Sequence, residues 1–314
     1  AGVRGGAIGQ GAVLEFRRFK DEIALFKKNT NFSNETDNNI GKADLTNIME
    51  AFLDSFEVVV EEGESIVISV SDLFLSETLT SVSPNLPREY RDFVDLDLGR
   101  LDDDKTFINQ VRNYPKNTAV EVTFGFSNPK SNQRNAVYAV ADARFTSIVA
   151  RHLFVEMPDD QFNTRVADQR VGYFSQRVTD LSTYDNYPQR DLINKWRLIK
   201  KDPEAELSEP VNPIVFWVEK STPEEIKPMV VKGIEAWNLA FERAGFKNAI
   251  VAKIQPDDAD WDAGDIQYNV VRWSSSPRPA FSGYGPSIGN PRTGELIAAD
   301  IVQEFNLSLI HISE

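Results

Sequence analysis

Between Val13 and Arg197 the apolar positions come in short alternating or continuous runs, separated by polar stretches that contain Asn and Pro. That pattern predicts an antiparallel, β-rich domain. Strands are expected at Val13 to Phe19, Glu22 to Phe26, Ser65 to Val70, Thr118 to Phe126 and Ala136 to Phe145. One stretch differs. From Lys42 to Phe56, the residues Leu45, Ile48, Phe52 and Phe56 recur at helical spacing and predict an amphipathic helix lying on the sheet. The run Asn29 to Asn39 is polar and turn-rich, so it reads as an exposed loop. Its Asn-x-Ser/Thr triplets at Asn31 and Asn34 would matter only in a eukaryotic secretory pathway.

Lys201 to Pro213 (KDPEAELSEPVNP) combines three prolines with acidic residues and no periodicity, as expected of an extended, solvated linker. Beyond it the pattern becomes mixed. Ile214 to Glu219 reads as a strand, and Ser221 to Phe246 as a long helix. Thr222 and Glu225 are placed for a capping box, Pro223 for the first helical position and Gly245 for a left-handed C-terminal stop. Ile226, Val230, Ile234, Trp237, Phe241 and Ala244 form the apolar face, while Pro228 removes a hydrogen bond and should bend or delay the first turn. Strands are then predicted at Ala249 to Ile254 and Ile266 to Trp273, around an acidic loop from Asp257 to Asp265. Strand, helix, strand in that order implies a crossover between parallel strands. A hairpin follows, with arms Gly283 to Ile288 and Glu295 to Val302 about the turn Asn290 to Gly294.

The fold class expected is therefore α+β: a β-rich antiparallel domain over residues 1–200, a linker over 201–213, and a strand-helix-strand-strand-hairpin unit over 214–306. Composition narrows the chemistry. The 314 residues are 41% hydrophobic and carry a formal net charge of -14, which disfavours broad contact with nucleic acid or anionic lipid. No cysteine is present, so disulfides, thiolate metal sites and a cysteine nucleophile are excluded. No window approaches the roughly 18 consecutive apolar residues of a membrane-spanning segment. Ala1 to Gly11 is Gly-rich, without an initiator Met or a signal-peptide core, so the native N-terminus is expected to lie upstream.

Few residues invite a catalytic role. The two histidines, His152 and His311, lie half a chain apart, and neither has a second His or a Glu at helical spacing. His152 reads as a strand histidine at the surface. Asp257, Asp258, Asp260, Asp262 and Asp265 could hold calcium through several carboxylates of one loop, although Gly264 falls one place late for the EF-hand template counted from Asp258. An acidic loop that is merely solvated is the plainer expectation. Asp95, Asp97 and Asp102 to Asp104 are balanced by Arg100 and Lys105.

Three segments, STPEEIKPMVVKGIEAWNLAFERAGF, DIQYNVVRW and GPSIGNPRTGELIAADIV, resemble the start of the catalytic domain in a family of bacterial zinc-dependent metalloproteases of metzincin-like architecture. RVADQRVGYFSQRVTDL (Arg165 to Leu181) and KWRLIKKDP (Lys195 to Pro203) resemble the N-terminal domain of the same family, whose role is not established. The resemblance extends to about Asn306. It implies that residues 214–306 are the first half of a catalytic domain, in which strand, long helix, strand, strand and edge strand lead to a helix bearing H-E-x-x-H, with zinc on its histidines. That helix is absent from this sequence, so zinc is expected in a longer parent enzyme and not on this chain. By the same carry-over, Trp237, Phe241 and Phe246 would be helix core, and Glu295 to Val302 the edge strand bordering the cleft. Gly285, Ser287, Leu296, Ile297, Ala298 and Ala299 would hold a peptide or protein substrate by strand addition.

The final residues, Leu307 to Glu314 (LSLIHISE), depart from the family and read as a non-native tail, so His311 is not taken as a ligand. The resemblance also implies a periplasmic or extracellular setting. The function expected is thus the N-terminal part of a zinc-dependent peptidase, inactive alone and prone to aggregate through an uncovered helix face. The alternatives are a non-catalytic binding or structural module, and a glycosidase using a carboxylate pair.

Overall fold

The structure, a computed structural model, describes residues 11–33, 48–82, 98–130, 140–158, 162–275 and 283–304. Its first half is built of mainly antiparallel sheets. Strands β1 (Leu14–Phe19), β2 (Glu22–Lys27), β4 (Ala51–Glu62) and β5 (Ser65–Ile68) form one sheet in sequence order. A second is centred on β8 (Asn117–Ser127), with β9 (Phe145–Val155) along one edge and β6 (Arg100–Leu101) and β7 (Phe107–Asn113) sharing the other. A small third sheet joins β10 (Ser175–Asp180) to β11 (Gln189–Ile193) and to the two-residue β3 (Phe32–Ser33), β3 and β10 being the parallel pair.

Alternation along β8 explains the main core of this half. Val120, Val122, Phe124 and Phe126 point to one face, where they meet Phe74 of the short helix α1 (Ser71–Leu75) together with Val82, Leu98 and Ala150. Phe124 and Phe126 are fully buried. The opposite face carries a polar ladder in which Asn109 and Arg151 both donate to Glu121.

Two expectations fail here. The predicted helix from Lys42 to Phe56 is not one over its described part, because β4 starts at Ala51; residues 42–47 lie outside the described residues. The β-branched run Val58 to Val60 and pairing against β2 decide for sheet, and a bulge between Phe52 and Phe56 turns Phe56 into the core opposite Ile23 and leaves Phe52 exposed opposite Phe26. The strand predicted at Ala136 to Phe145 is displaced: residues 140–144 are turn and coil, and the strand begins at Phe145. Residues 136–139 lie outside the described set, as do Asn34, Asp95, Asp97, His311 and the tail 307–314.

His152 is a core-flanking residue and not a surface one. It sits on β9 opposite Val120, with its ring edge-on to Phe124 (6.2 Å between centroids) and tilted against Phe74 (5.8 Å). Its Nε2 is enclosed and has no hydrogen-bond partner, and burial holds its pKa below the ordinary value of 6.5.

The second half is a five-stranded sheet in the order β13 (Ile250–Ile254), β12 (Ile214–Val218), β14 (Asn269–Ser274), β18 (Ile301–Glu304), β15 (Gly283–Tyr284). The first four strands are parallel and β15 is antiparallel at the edge. The long helix is instead two, α2 (Lys227–Glu235) and α3 (Asn238–Arg243), which start later than expected. Pro228 sits at the start of α2, and the capping box does not form: the N-cap is Ile226, and the buried Thr222 hydroxyl has no partner. The C-terminal stop does form. Gly245 takes φ +88°, with Phe246 N–H donating to Phe241 O and Gly245 N–H to Glu242 O, the two bonds of a Schellman motif. Ile226, Val230 and Ile234 pack on β12 and β13 as the periodicity requires, but Trp237, expected in the core, is 64% exposed.

The linker is folded down rather than extended. Lys200 bridges to Pro210 and Ser208 to Phe246, and both Ser208 and Pro210 are buried. Prolines at 203, 210 and 213 remove competing donors, but backbone bonds from Lys201 to Glu209 and from Lys247 to Ser208 hold the segment against the helix end.

The buried imidazole carries a pH prediction. A neutral His152 in the fold and a freely titrating one in the unfolded chain are equivalent above the unfolded pKa; below it only the unfolded state gains a proton readily, so stability falls as pH drops through 6.5 toward the lower folded value. In His152→Leu the loss of melting temperature between pH 7 and pH 5 should be smaller than in the parent chain. Equal losses in the two proteins would show that His152 is not held neutral.

Candidate functional site

The residues expected to hold substrate converge on one hairpin. Its arms are β16 (Ser287–Gly289) and β17 (Leu296–Ala299), with Ser287 opposite Ala299, Ile288 opposite Ala298 and Gly289 opposite Leu296. The turn is the one the sequence called for. Asn290 Oδ1 accepts from Arg292 N–H, its carbonyl accepts from Thr293 and Gly294, and Gly294 takes φ +75°. Ser287 and Gly285 are exposed, Leu296, Ile297 and Ala299 half-buried, and Ala298 buried.

The predicted continuous arms are each cut in two. Gly285 and Pro286 separate β15 from β16, and Asp300 separates β17 from β18. Asp300 explains the break: its N–H donates to Pro286 O (2.9 Å), while its Oδ1 accepts from Val270 N–H (2.8 Å), so the chain steps from the hairpin into the main sheet there. Burial raises its carboxyl pKa, against the Val270 hydrogen bond that lowers it. The predicted strand Ile266 to Trp273 likewise starts only at Asn269, after a turn. Consequently Glu295 to Val302 is not one edge strand: β18 is interior, and the antiparallel edge of the sheet is β15.

The outer side of β17 is partly taken from within the chain. Leu296 N–H donates to Lys195 O (2.9 Å), Lys195 N–H donates to Gly294 O (3.0 Å), and Ala299 N–H donates to Asn269 Oδ1 (2.9 Å). A Cβ on Gly294 would collide with the Ile193 carbonyl, so the strap from Ile193 to Arg197 requires glycine at that turn. Arg197 completes the contact. Its guanidinium holds the buried Glu295 carboxylate through two bonds, of 2.6 and 2.8 Å, and lies 5.3 Å from the Phe162 ring, over which Lys195 also sits at 4.7 Å. Desolvation, with Arg165 nearby, lowers the Lys195 pKa against the pull of Glu295.

A second seam ties the acidic loop to the β8 sheet. Asn117 donates to Gly264 O (2.8 Å) and accepts from Ile266 N–H (3.1 Å). Asp262 accepts from Arg112, from the Tyr114 hydroxyl (2.8 Å) and from Gly264 N–H (2.6 Å). Asp265 is buried against Gln267, whereas Asp257, Asp258 and Asp260 face solvent. Beside the loop, Trp261 stacks on Tyr268 at 3.9 Å and both meet Trp217 edge-on.

Among the described residues no group of three or more His, Asp and Glu side chains gathers where a metal could sit. The one described histidine, His152, packs against Phe74 and Phe124. No described helix is long and apolar enough to cross a membrane. The residues that shape the hairpin, Arg197, Lys195 and Ile193, were not singled out from the sequence; Arg197 and Glu295 are 98 positions apart, and nothing local marks them as partners.

Removing Arg197 would leave Glu295 charged and enclosed. Arg197→Ala is expected to cost about 2–4 kcal/mol in urea unfolding, less than the roughly 3–5 kcal/mol of a fully buried pair because Arg197 keeps 28% of its side chain exposed. Arg197→Lys, which keeps the charge but loses the paired geometry, should fall between. A change under about 0.5 kcal/mol for Arg197→Ala, the size of an ordinary surface substitution, would show that the strap does not brace the hairpin.

No curated protein and no solved structure matches this chain. A family model described as a domain of unknown function, DUF5117, matches residues 5–201, from the glycine-rich start through the antiparallel sheets to the strap that carries Arg197. With well over half of its length inside that match, the chain belongs to the DUF5117 family.

Proposed function

We propose that this chain is the substrate-side framework of a zinc-dependent peptidase whose zinc-binding helix lies outside these residues. The observation that carries the reading is an uncovered groove on the five-stranded sheet. Helices α2 and α3 follow β12, and α2 packs over β12 and β13. Beside it, Val271 and Trp273 of β14 with Ile301 and Gln303 of β18 floor a cleft of about 690 Å³, walled by Met229 and Trp237. Two strands at roughly 4.8 Å spacing make a trough about 10 Å wide, the diameter of one helix. An apolar trough of that width is the shape left for a further amphipathic helix to fill.

Two further features support the reading. The order of strand, helices, strand and strand over β12 to β14 supports the reading, although the antiparallel edge strand is β15 and not the expected Glu295 to Val302. The edge strand β15 and the hairpin beside it present backbone to an extended peptide, which needs no sequence-specific side chain to be held. In this reading the present residues hold and orient the peptide, and hydrolysis belongs to ligands and a base contributed from elsewhere in the parent protein. The setting proposed is periplasmic or extracellular, again on the resemblance.

The test is to express the reading frame extended beyond codon 306 next to this chain, measuring bound zinc and casein cleavage. Zinc near one per molecule and cleavage in the extended protein alone are expected; neither in the extended protein would remove the peptidase reading. The open groove has its own consequence. This chain by itself should enhance the emission of anilinonaphthalene sulfonate and self-associate, and a monomer that takes up no dye would contradict an uncovered groove.

A further inference from the structure

The small sheet of β10, β11 and β3 presents aromatic rings that neither core uses. Tyr184 and Tyr187, in the loop 181–188 between β10 and β11, are 87% and 83% exposed. Single exposed apolar residues are ordinary, but two tyrosines within four residues on a braced loop are a concentrated aromatic surface. The bracing is extensive. Arg190 donates to the Asp185 carboxylate (2.5 Å) and to the carbonyls of Tyr187 (2.7 Å) and Gln189 (3.2 Å). Ser182 donates twice to Asp180, and Asp185 N–H donates to Thr183 Oγ1. A loop already fixed in shape gives up little conformational entropy when it binds.

A cavity adjoins this loop. Leu181, whose N–H donates to Ser33 O (2.8 Å), lines a cavity of about 480 Å³ together with Phe26, Phe32, Asn29, Ser33 and Met49. Tyr184 follows Leu181 by three residues and so lies within roughly 10 Å of it along the chain. The charges here are closed on one another. Lys28 and Glu50, also at the cavity, pair with each other and with Glu15 and Arg17, and Asp185 is held by Arg190. What remains on offer is aromatic faces, amides and hydroxyls, with the Asp180 carboxylate turned to Ser182.

We propose that the loop 181–188 and the adjoining cavity bind a neutral glycan. Tyr184 and Tyr187 stack on the C–H faces of sugar rings, Asn29 and Ser33 pair with hydroxyls, and the cavity takes a ring at one end. A protein partner would need a continuous apolar centre, which Ser182, Thr183, Asp185 and Asn186 interrupt. An anionic polymer would need unpaired cationic groups, which this neutralised surface on a chain of net charge -14 does not present.

Affinity electrophoresis of the chain through gels containing hydroxyethyl cellulose, dextran or laminarin tests the proposal. Retardation by at least one polymer is expected, unchanged at high salt because no ion pairing is involved. The double variant Tyr184→Ala/Tyr187→Ala should weaken it about tenfold at an unchanged melting temperature, since both rings are already exposed. Met49→Trp, which narrows the cavity and leaves the loop intact, should weaken it as well. Retardation by none of the three polymers, retardation unaltered in the double variant, or retardation that collapses with salt would each overturn the proposal.

Discussion

A sheet face of Val, Ile and Phe must be covered, and the way each sheet here meets that demand organises the rest of the protein. The inner face of β8 is covered from within its own half by α1 and neighbouring strands, which leaves Phe124 and Phe126 with no solvent contact. The face of β12 is covered by α2, whose Ile226, Val230 and Ile234 interdigitate with Phe216 and Val218. Beyond α2 the cover thins among the described residues: Val271 is buried, while the half-buried Trp273 and Ile301 line the open cleft. The main cores close locally, and the open cleft is the place where the fold asks for something more.

Polar seams join the two halves, beside the apolar contact that Trp196 and Leu198 make with the core under α2. Asn117 reads the backbone of the acidic loop in both directions, and Arg197 holds Glu295 with the geometry of a planar fork on a carboxylate. Such contacts contribute less to stability than apolar burial, but they are directional, and they hold the hairpin at a set distance from the strap because only one register satisfies both bonds. In this chain the last segment of the family domain bridges to the hairpin, with Lys195 beside Glu295.

Where the pattern was periodic and the ends were punctuated, the sequence was a good guide. The strand β8, the strand β12, the Schellman stop at Gly245 and the Asn290 to Gly294 turn each follow from a few adjacent residues. One error lay where a helical spacing met a strong sheet partner: pairing with β2 made Phe52 and Phe56 part of a bulged strand, with only Phe56 in the core. The linker failed differently: prolines and acids do read as extended chain, yet Ser208 found backbone partners in Gly245 and Lys247 at the end of α3, and Lys201 found one in Glu209, which composition cannot reveal.

Local patterning alone determined which segments could be strand or helix, where the turns would close, and that no cysteine or paired histidine chemistry was available. The position of those segments against each other was decided only by the tertiary structure. His152 became a half-buried imidazole packed on Phe74 and Phe124, and Trp237 became exposed where it lines the cleft beside α2. Arg197 meets Glu295 across 98 positions of chain, and Asn117 meets Gly264 across 147. Directional contacts between distant residues leave no periodic trace, since each depends on two backbones arriving at one place and not on the spacing within either.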